Sequence, residues 1–356
     1  MKEMLKNRKY VFGYDVLNIQ ACLSSNVPLK IGFELLDDCN LYCDYCYLGD
    51  IKNRKQEYIE IKMAKCILDK IKKEGVSSVQ FFGGEPTLYP YLLELIDYSK
   101  SIDILDVGVL TNGMCNNIGL IEEIGLRCDW VHVTLRGNLK TFDNHTKVAG
   151  SFDNAINTLK ILNRTQTYIG IEYDCCHDNF DQLEELIVYL IEVEKIEMQE
   201  IWLHRIAPRG LAEENNKKDL NIDDYIKVLQ QCESIENKYN INCKMEDSLP
   251  LCLFQLKYHK YILPCKGGFV SAYIDPKGNM RRCAASSYML GNILDNSISE
   301  IWKKSNIMND FRTFNWLPSF CKKCVKINDC RGGCSVSARV DADYSPDVFS
   351  PLFKPF

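Results

Sequence analysis

Two groups of cysteines are the residues most able to do chemistry. "CNLYCDYCY" holds Cys39, Cys43 and Cys46 in one tight loop, and "CKKCVKINDCRGGC" holds Cys321, Cys324, Cys330 and Cys334 within fourteen residues. Clustered soft thiolates in a chain without an export signal point to zinc or iron–sulfur rather than to disulfides. Three thiols spaced C-x3-C-x2-C can reach three irons of a cubane cluster and leave the fourth iron open. Structural zinc is closed by four ligands, so a three-thiol loop suits it poorly. The four-thiol stretch allows both a self-contained zinc site and shared parts of iron–sulfur centres. Cys22, Cys66, Cys115, Cys128 and Cys232 are scattered and read as small core or surface residues.

The elements that must position these thiols show in the hydrophobic pattern. Of 356 residues, 46% are apolar and 26% charged, as in a globular protein with a sizeable core. A net charge of −5 argues against nucleic-acid or anionic-membrane binding. No run of about 18 apolar residues is present to span a bilayer, and the basic start lacks the apolar stretch of a secretory signal. A cytoplasmic protein is expected.

Short apolar segments over 30–36, 77–83, 106–111, 130–135, 168–174 and 200–206 predict buried parallel strands. Helical patterns fall between them over 59–75 (ended by Gly75), 91–101, 151–164 (capped by Ser151) and 180–195. Six β-α units imply a partial (β/α)6 TIM-like barrel, open along one side, in an α/β fold. The organisation expected is an N-terminal extension over 1–27, the barrel over 28–215 and a linker helix within 216–245. A cysteine-rich domain over 246–356 follows, with a hairpin turning at Lys277–Gly278.

The loops at the strand ends carry further motifs, where barrels collect reactive groups. The cysteine loop follows the first strand, "FFGGEP" the second, "LTNG" the third and "TLRG" the fourth. In this order they resemble the radical SAM superfamily, whose cluster motif is C-x3-C-x-Φ-C with Tyr45 here at the aromatic Φ. The resemblance implies a 4Fe–4S cluster on Cys39, Cys43 and Cys46. It also implies S-adenosylmethionine held by Gly83, Gly84, Glu85, Asn112 and Thr134, with Tyr45 packing on the adenine. Glu85 would accept from the methionyl ammonium. Arg136 stands where relatives commonly have an acid, and could pair with the methionyl carboxylate, face substrate or be a solvated loop residue. The implied chemistry is reductive cleavage of S-adenosylmethionine to a 5′-deoxyadenosyl radical, fed by a donor such as flavodoxin or ferredoxin.

Cys265, Gly278, Cys283, Cys321, Cys324, Cys330 and Cys334 resemble the SPASM extension of a subset of these enzymes, with G-x4-C and C-x2-C-x5-C-x3-C intact. Carried over by position, Cys265, Cys283 and Cys334 hold one auxiliary 4Fe–4S cluster, with Cys252 available as a fourth ligand. Cys321, Cys324 and Cys330 hold a second. The family's terminal cysteine is missing, leaving Asp341, Asp343, Asp347 or an open iron.

Such relatives act mostly on peptides or proteins, and a minority oxidise or epimerise sugars, including aminoglycosides. Ala284 replaces the aspartate usual in sulfatase-maturing relatives. Only 29 residues precede the first strand, so a leader peptide is expected to bind without a separate N-terminal domain. The expected function is hydrogen abstraction from a peptide or protein, giving a crosslink or an oxidised side chain. A sugar-type substrate is the alternative, and a zinc-stabilised binding protein the non-enzymatic one. Cys175 and Cys176, in "YDCCHDNF", are either hydrogen-atom donors to a substrate radical or packing residues.

Overall fold

The computed structural model describes residues 25–53, 57–337 and 349. Strands β1 (Lys30–Glu34), β2 (Ser78–Phe82), β3 (Asp106–Thr111), β4 (Trp130–Thr134), β5 (Tyr168–Cys175) and β6 (Glu200–Arg205) lie parallel in chain order. Helices α1 (Ile61–Lys73), α2 (Leu92–Ser101), α3 (Ile118–Arg127), α4 (Leu139–Thr146), α5 (Ser151–Leu162) and α6 (Leu183–Val188) return the chain between them. α1 shows the logic. Ala64, Ile67, Leu68 and Ile71 recur at helical spacing and are the face it buries.

Two helices escape the sequence pattern. α3 carries Gly119 and Gly125, which weaken its helical signal, although Asn117 caps it by accepting from the Leu120 N–H at 3.1 Å. α4 buries only Phe142, His145 and Thr146. Ser151 does not cap α5. Gly150 holds that position, and Asp143 of α4 accepts from the Gly150 and Phe152 N–H groups at 2.7 and 2.9 Å.

The sheet also runs past the six expected strands. After α7 (Leu211–Glu214), α8 (Ile222–Tyr239) serves as a crossover onto β7 (Asn242–Met245), parallel to β6. β8 (Ser271–Ile274) pairs parallel with β1, turns through Gly278 and continues as β9 (Asn279–Arg281) and β10 (Gly291–Asn292). The order β10-β9-β8-β1-β2-β3-β4-β5-β6-β7 does not close, so the barrel stays open. The sheet therefore spans the boundaries expected near 215 and 245. "NCKM" of β7 is too short and polar to read as a strand. The cysteine-rich part is tied on by Glu74, which accepts from the N–H groups of Ile298 and Ser299 at 2.8 and 2.7 Å, and by Arg281, which reaches both Glu34 oxygens at 2.6 Å.

Side chains alternate across each strand, so one set faces the helices and the other the barrel interior. Glycines on odd strands make room there for large neighbours. A Cβ on Gly32 would lie 2.5 Å from the Tyr273 ring, on Gly108 1.9 Å from Trp130, and on Gly170 2.6 Å from His132. Gly108→Ala is expected to displace Trp130 and destabilise the fold by about 1–3 kcal/mol. Chemical denaturation measures the loss, and an unchanged midpoint would refute the packing argument.

Candidate active site

The Cys39–Cys46 loop leaves β1 and is pinned from two sides. The N–H groups of Tyr42 and Asp44 donate to the carbonyls of Thr146 and His145 at the end of α4, at 2.9 and 3.2 Å. The Leu211 N–H donates to the Cys46 carbonyl at 3.0 Å. Asp44, paired with His145, Lys147 and Lys217, is held well below the usual carboxylate range despite its burial. Cys39 Sγ accepts from Asn112 Nδ2 at 3.5 Å, and Arg136 Nη1 stands 3.8 Å from Cys43 Sγ. Burial, with Glu85 behind it, pushes the Cys39 thiol up to about 12, and burial pushes Cys43 up to about 11 against the pull of Arg136. Thiolates so placed need a cationic partner, which an iron cluster supplies.

The GGEP segment does something other than expected. Glu85 is fully buried, and its carboxylate accepts from the Thr87 N–H (3.0 Å), the Thr87 and Thr111 hydroxyls (2.7 Å each) and the Asn112 N–H (2.7 Å). It joins the loop after β2 to the turn after β3 and does not line the cavity. Burial raises its pKa while these donors pull it down. Gly83 and Gly84 line the cavity, yet what requires glycine lies behind them. A Cβ at Gly84 would sit 1.9 Å from the Asp38 carbonyl oxygen, and at Gly83 2.4 Å from that of Leu36. Glu85→Gln turns one acceptor into a donor facing donors. We expect a loss of about 1–3 kcal/mol in stability, read by calorimetry, with weaker S-adenosylmethionine binding.

A cavity of about 350 Å3 opens at the C-terminal strand ends and runs into the barrel. Cys39, Cys43, Cys46, Tyr45, Asn112, Thr134 and Arg136 line one part of it, and Cys265, Cys283 and Cys334 another. Arg136 is paired with Asp174 and lies over the Tyr45 ring, 5.0 Å from its centroid. The inward residues of β4, β5 and β6 supply a charged floor. His132 Nδ1 meets Glu172 Oε1 at 2.5 Å and its Nε2 meets Glu200 Oε1 at 3.0 Å, while His204 pairs with Glu172 Oε2. Asp247 lies 3.4 Å from His204 Nδ1, and Lys266 holds Glu246 at 3.1 Å. Burial alone would lower His132, but the bonds to Glu172 and Glu200 outweigh it and hold the imidazole up to about 9. The signal was present in the sequence: "WVHVTL", "GIEYD" and "EIWLHR" each place ionisable residues at alternate positions of an apolar strand.

The remaining sequence candidates separate cleanly. Cys175 faces the helix layer and is wholly enclosed, and Cys176 points to His145 at 3.4 Å behind Tyr45. Neither lines the main cavity. For Cys175 strand alternation is the reason, since Glu172 and Asp174 take the inward positions of β5, while Cys176 lies just past the strand in the turn that follows. Cys252 does not line the cavity that Cys265, Cys283 and Cys334 share. The near charges acting on the Cys321 thiol, which burial raises to about 11, are Cys330, Cys252 and Cys324. Asp341, Asp343 and Asp347 lie outside the described residues.

The pattern of the Radical SAM superfamily matches residues 33–190, and that of the SPASM iron-sulfur cluster-binding domain matches residues 265–325. The chain is a radical SAM enzyme with a SPASM domain. The radical SAM domain takes a 4Fe–4S cluster and S-adenosylmethionine, and the SPASM domain auxiliary iron–sulfur clusters. The PqqA peptide cyclase of Rhizobium meliloti is 23% identical over 327 residues, covering 87% of this chain and 83% of that protein. The AdoMet-dependent heme synthase of Oleidesulfovibrio alaskensis is 24% identical over 341 residues, covering 89% and 86%. Among solved structures, Streptococcus suis SuiB bound to S-adenosylmethionine superposes with a TM-score of 0.73 at 18% identity, covering 99% of this chain and 83% of SuiB. SuiB bound to its precursor peptide SuiA gives 0.70 at 19%, covering 97% and 80%. No helix among the described residues is long and apolar enough to cross a membrane.

Proposed function

We propose that this enzyme oxidises a peptide or protein by abstracting hydrogen from a C–H bond, leaving a crosslink or an oxidised side chain. The observation that carries this reading is the single cavity that joins the Cys39–Cys43–Cys46 loop to Cys265, Cys283 and Cys334 across a charged floor. One substrate side chain fits between two redox centres there. The PqqA peptide cyclase and the SuiA-bound SuiB support a peptide rather than a sugar.

In this reading Cys39, Cys43 and Cys46 would hold the cluster, which together with S-adenosylmethionine would supply the hydrogen-abstracting chemistry. Tyr45, Thr134 and the backbone of Gly83 and Gly84 shape the cofactor's seat. Asn112 contributes its side chain, and Glu85 holds Asn112 in place without touching the ligand. Arg136, kept charged beside Asp174, offsets negative charge near Cys43. Cys265, Cys283 and Cys334 hold one auxiliary cluster, and Cys321, Cys324 and Cys330 belong to the second. His204, at the cavity end of the ionic floor, orients substrate polar groups and takes up or returns a proton at Nε2. A small cytoplasmic flavodoxin or ferredoxin delivers the electron.

The test is anaerobic reconstitution with iron and sulfide, then incubation with S-adenosylmethionine, a reductant and a candidate precursor peptide. The expected result is 5′-deoxyadenosine together with a peptide that has lost two hydrogens. Deuterium taken up from D2O at a carbon, with no two-hydrogen loss, would reject oxidation in favour of epimerisation.

A further inference from the structure

Three thiols at Cys321, Cys324 and Cys330 leave one corner of a four-iron cluster without a protein ligand. A long-range neighbour packs against Cys330. The one-turn helix Leu251–Leu253 places Cys252 at the surface, and the N–H of Leu251 donates to Cys330 Sγ at 3.4 Å. Ser248 Oγ anchors the same segment by donating to the Cys330 carbonyl at 3.4 Å. From the other side, the Lys326 N–H donates to Cys324 Sγ at 3.4 Å. Backbone N–H groups aimed at sulfur favour thiolate over thiol and recur around iron–sulfur ligands.

Cys252 is within electrostatic reach of all three partners. Its charge bears on Cys321 and on Cys330, and that of Cys324 bears on it. The thiols of Cys39, Cys43 and Cys46 are related in the same way. Cys265, Cys283 and Cys334 line the separate cavity, and Cys252 does not.

We propose that Cys252 is the fourth ligand of the auxiliary cluster held by Cys321, Cys324 and Cys330. The cluster is then closed by four thiolates, with neither an aspartate nor substrate needed on its last iron. A fully ligated cluster at the surface is suited to exchanging electrons with a redox partner and not to binding substrate. The cavity-side thiols Cys265, Cys283 and Cys334 stand where substrate can be reached. The two auxiliary centres thereby divide the work, one toward substrate and one toward solvent. The inference rests on the reading that the SPASM cysteines bind iron–sulfur clusters.

Differential alkylation of the full chain tests it. Holoenzyme and chelator-stripped protein are treated anaerobically with iodoacetamide, and each cysteine's labelling is followed by peptide mass spectrometry. Cys66, an exposed thiol on α1, serves as the internal standard and should label at the same rate in both forms. Cys252, also exposed, is expected to be protected at least about 10-fold in the holoenzyme, together with Cys321, Cys324 and Cys330, and to label freely once iron is removed. Labelling of Cys252 at the Cys66 rate while the other three stay protected would overturn the assignment. If all four label in the holoenzyme, the reading of this site as a cluster fails, and the inference falls with it. Protection of the four accompanied by about one zinc per chain in place of iron would replace the cluster with a zinc site. As a second measurement, Cys252→Ala is expected to lose between about one and about four irons per chain. Cys252→Asp is expected to keep the cluster with a shifted reduction potential. Iron content and Mössbauer spectra equal to the parent in both variants would count against the proposal.

Discussion

Cys43→Ala is expected to abolish S-adenosylmethionine cleavage, lowering 5′-deoxyadenosine formation by at least about 10^3-fold, a barrier increase of ~4 kcal/mol. Three thiols in one loop are the fewest that leave a single iron open, so removing one leaves two irons without a protein ligand. Cys43 is the informative choice because its surroundings survive its loss: Arg136 stays paired with Asp174 and stacked on Tyr45. The loop keeps its bonds to α4 and to Leu211, which run through the backbone. Iron should fall by about four per chain while the auxiliary clusters persist in the electron paramagnetic resonance spectrum. Retained cleavage in this variant would remove the Cys39–Cys43–Cys46 loop from the proposed mechanism.

Glu172→Gln carries the second large effect, on stability and on its pH dependence. Glu172 serves the buried imidazole of His132 and the half-buried one of His204, and their charge holds its own pKa far below the usual range in spite of burial. Removing the shared negative charge leaves both histidines facing one carboxylate fewer in a desolvated floor. The expected loss is about 3–5 kcal/mol at neutral pH, as for other buried pairs broken on one side. The direction with pH follows from His132, whose folded value of about 9 lies above the unfolded value of about 6.5. Its contribution is fully present below about 6.5 and is lost as pH rises through about 9. Parent protein should therefore lose stability over that interval on titration to alkaline pH, and the variant should lose less. Denaturation at several pH values decides it, and parallel pH profiles would sink the linkage.

Much of this was legible in the sequence because it is local. The six strands from 30 to 206 show as short apolar runs, and the cluster loop, GGEP and TNG elements sit directly after them. Short-range patterning sets both, through strand propensity and through the C-terminal strand ends at which loops must emerge. What escaped was set by contacts distant along the chain. Glu85 looks like a ligand for an ammonium group, and the fold shows its carboxylate accepting from Thr87, Thr111 and Asn112. Cys175 looks available until the strand's alternation turns Glu172 and Asp174 inward instead, and Cys176 until the turn after the strand sets it against His145. β7 and β8 extend the sheet through pairing with β6 and β1, which four-residue segments do not announce.

The sequence by itself determined the family, the three thiols of the cluster loop and the barrel that presents them, since each depends on residue types at fixed short spacing. Tertiary structure alone decided which segments the cysteines meet. Cys252 lies sixty-nine residues before Cys321, nearer in the chain to Cys265, and the Leu251–Leu253 turn that carries it packs against Cys330. Ligand sets close in space, and spacing along the chain constrains that closure only over a few residues.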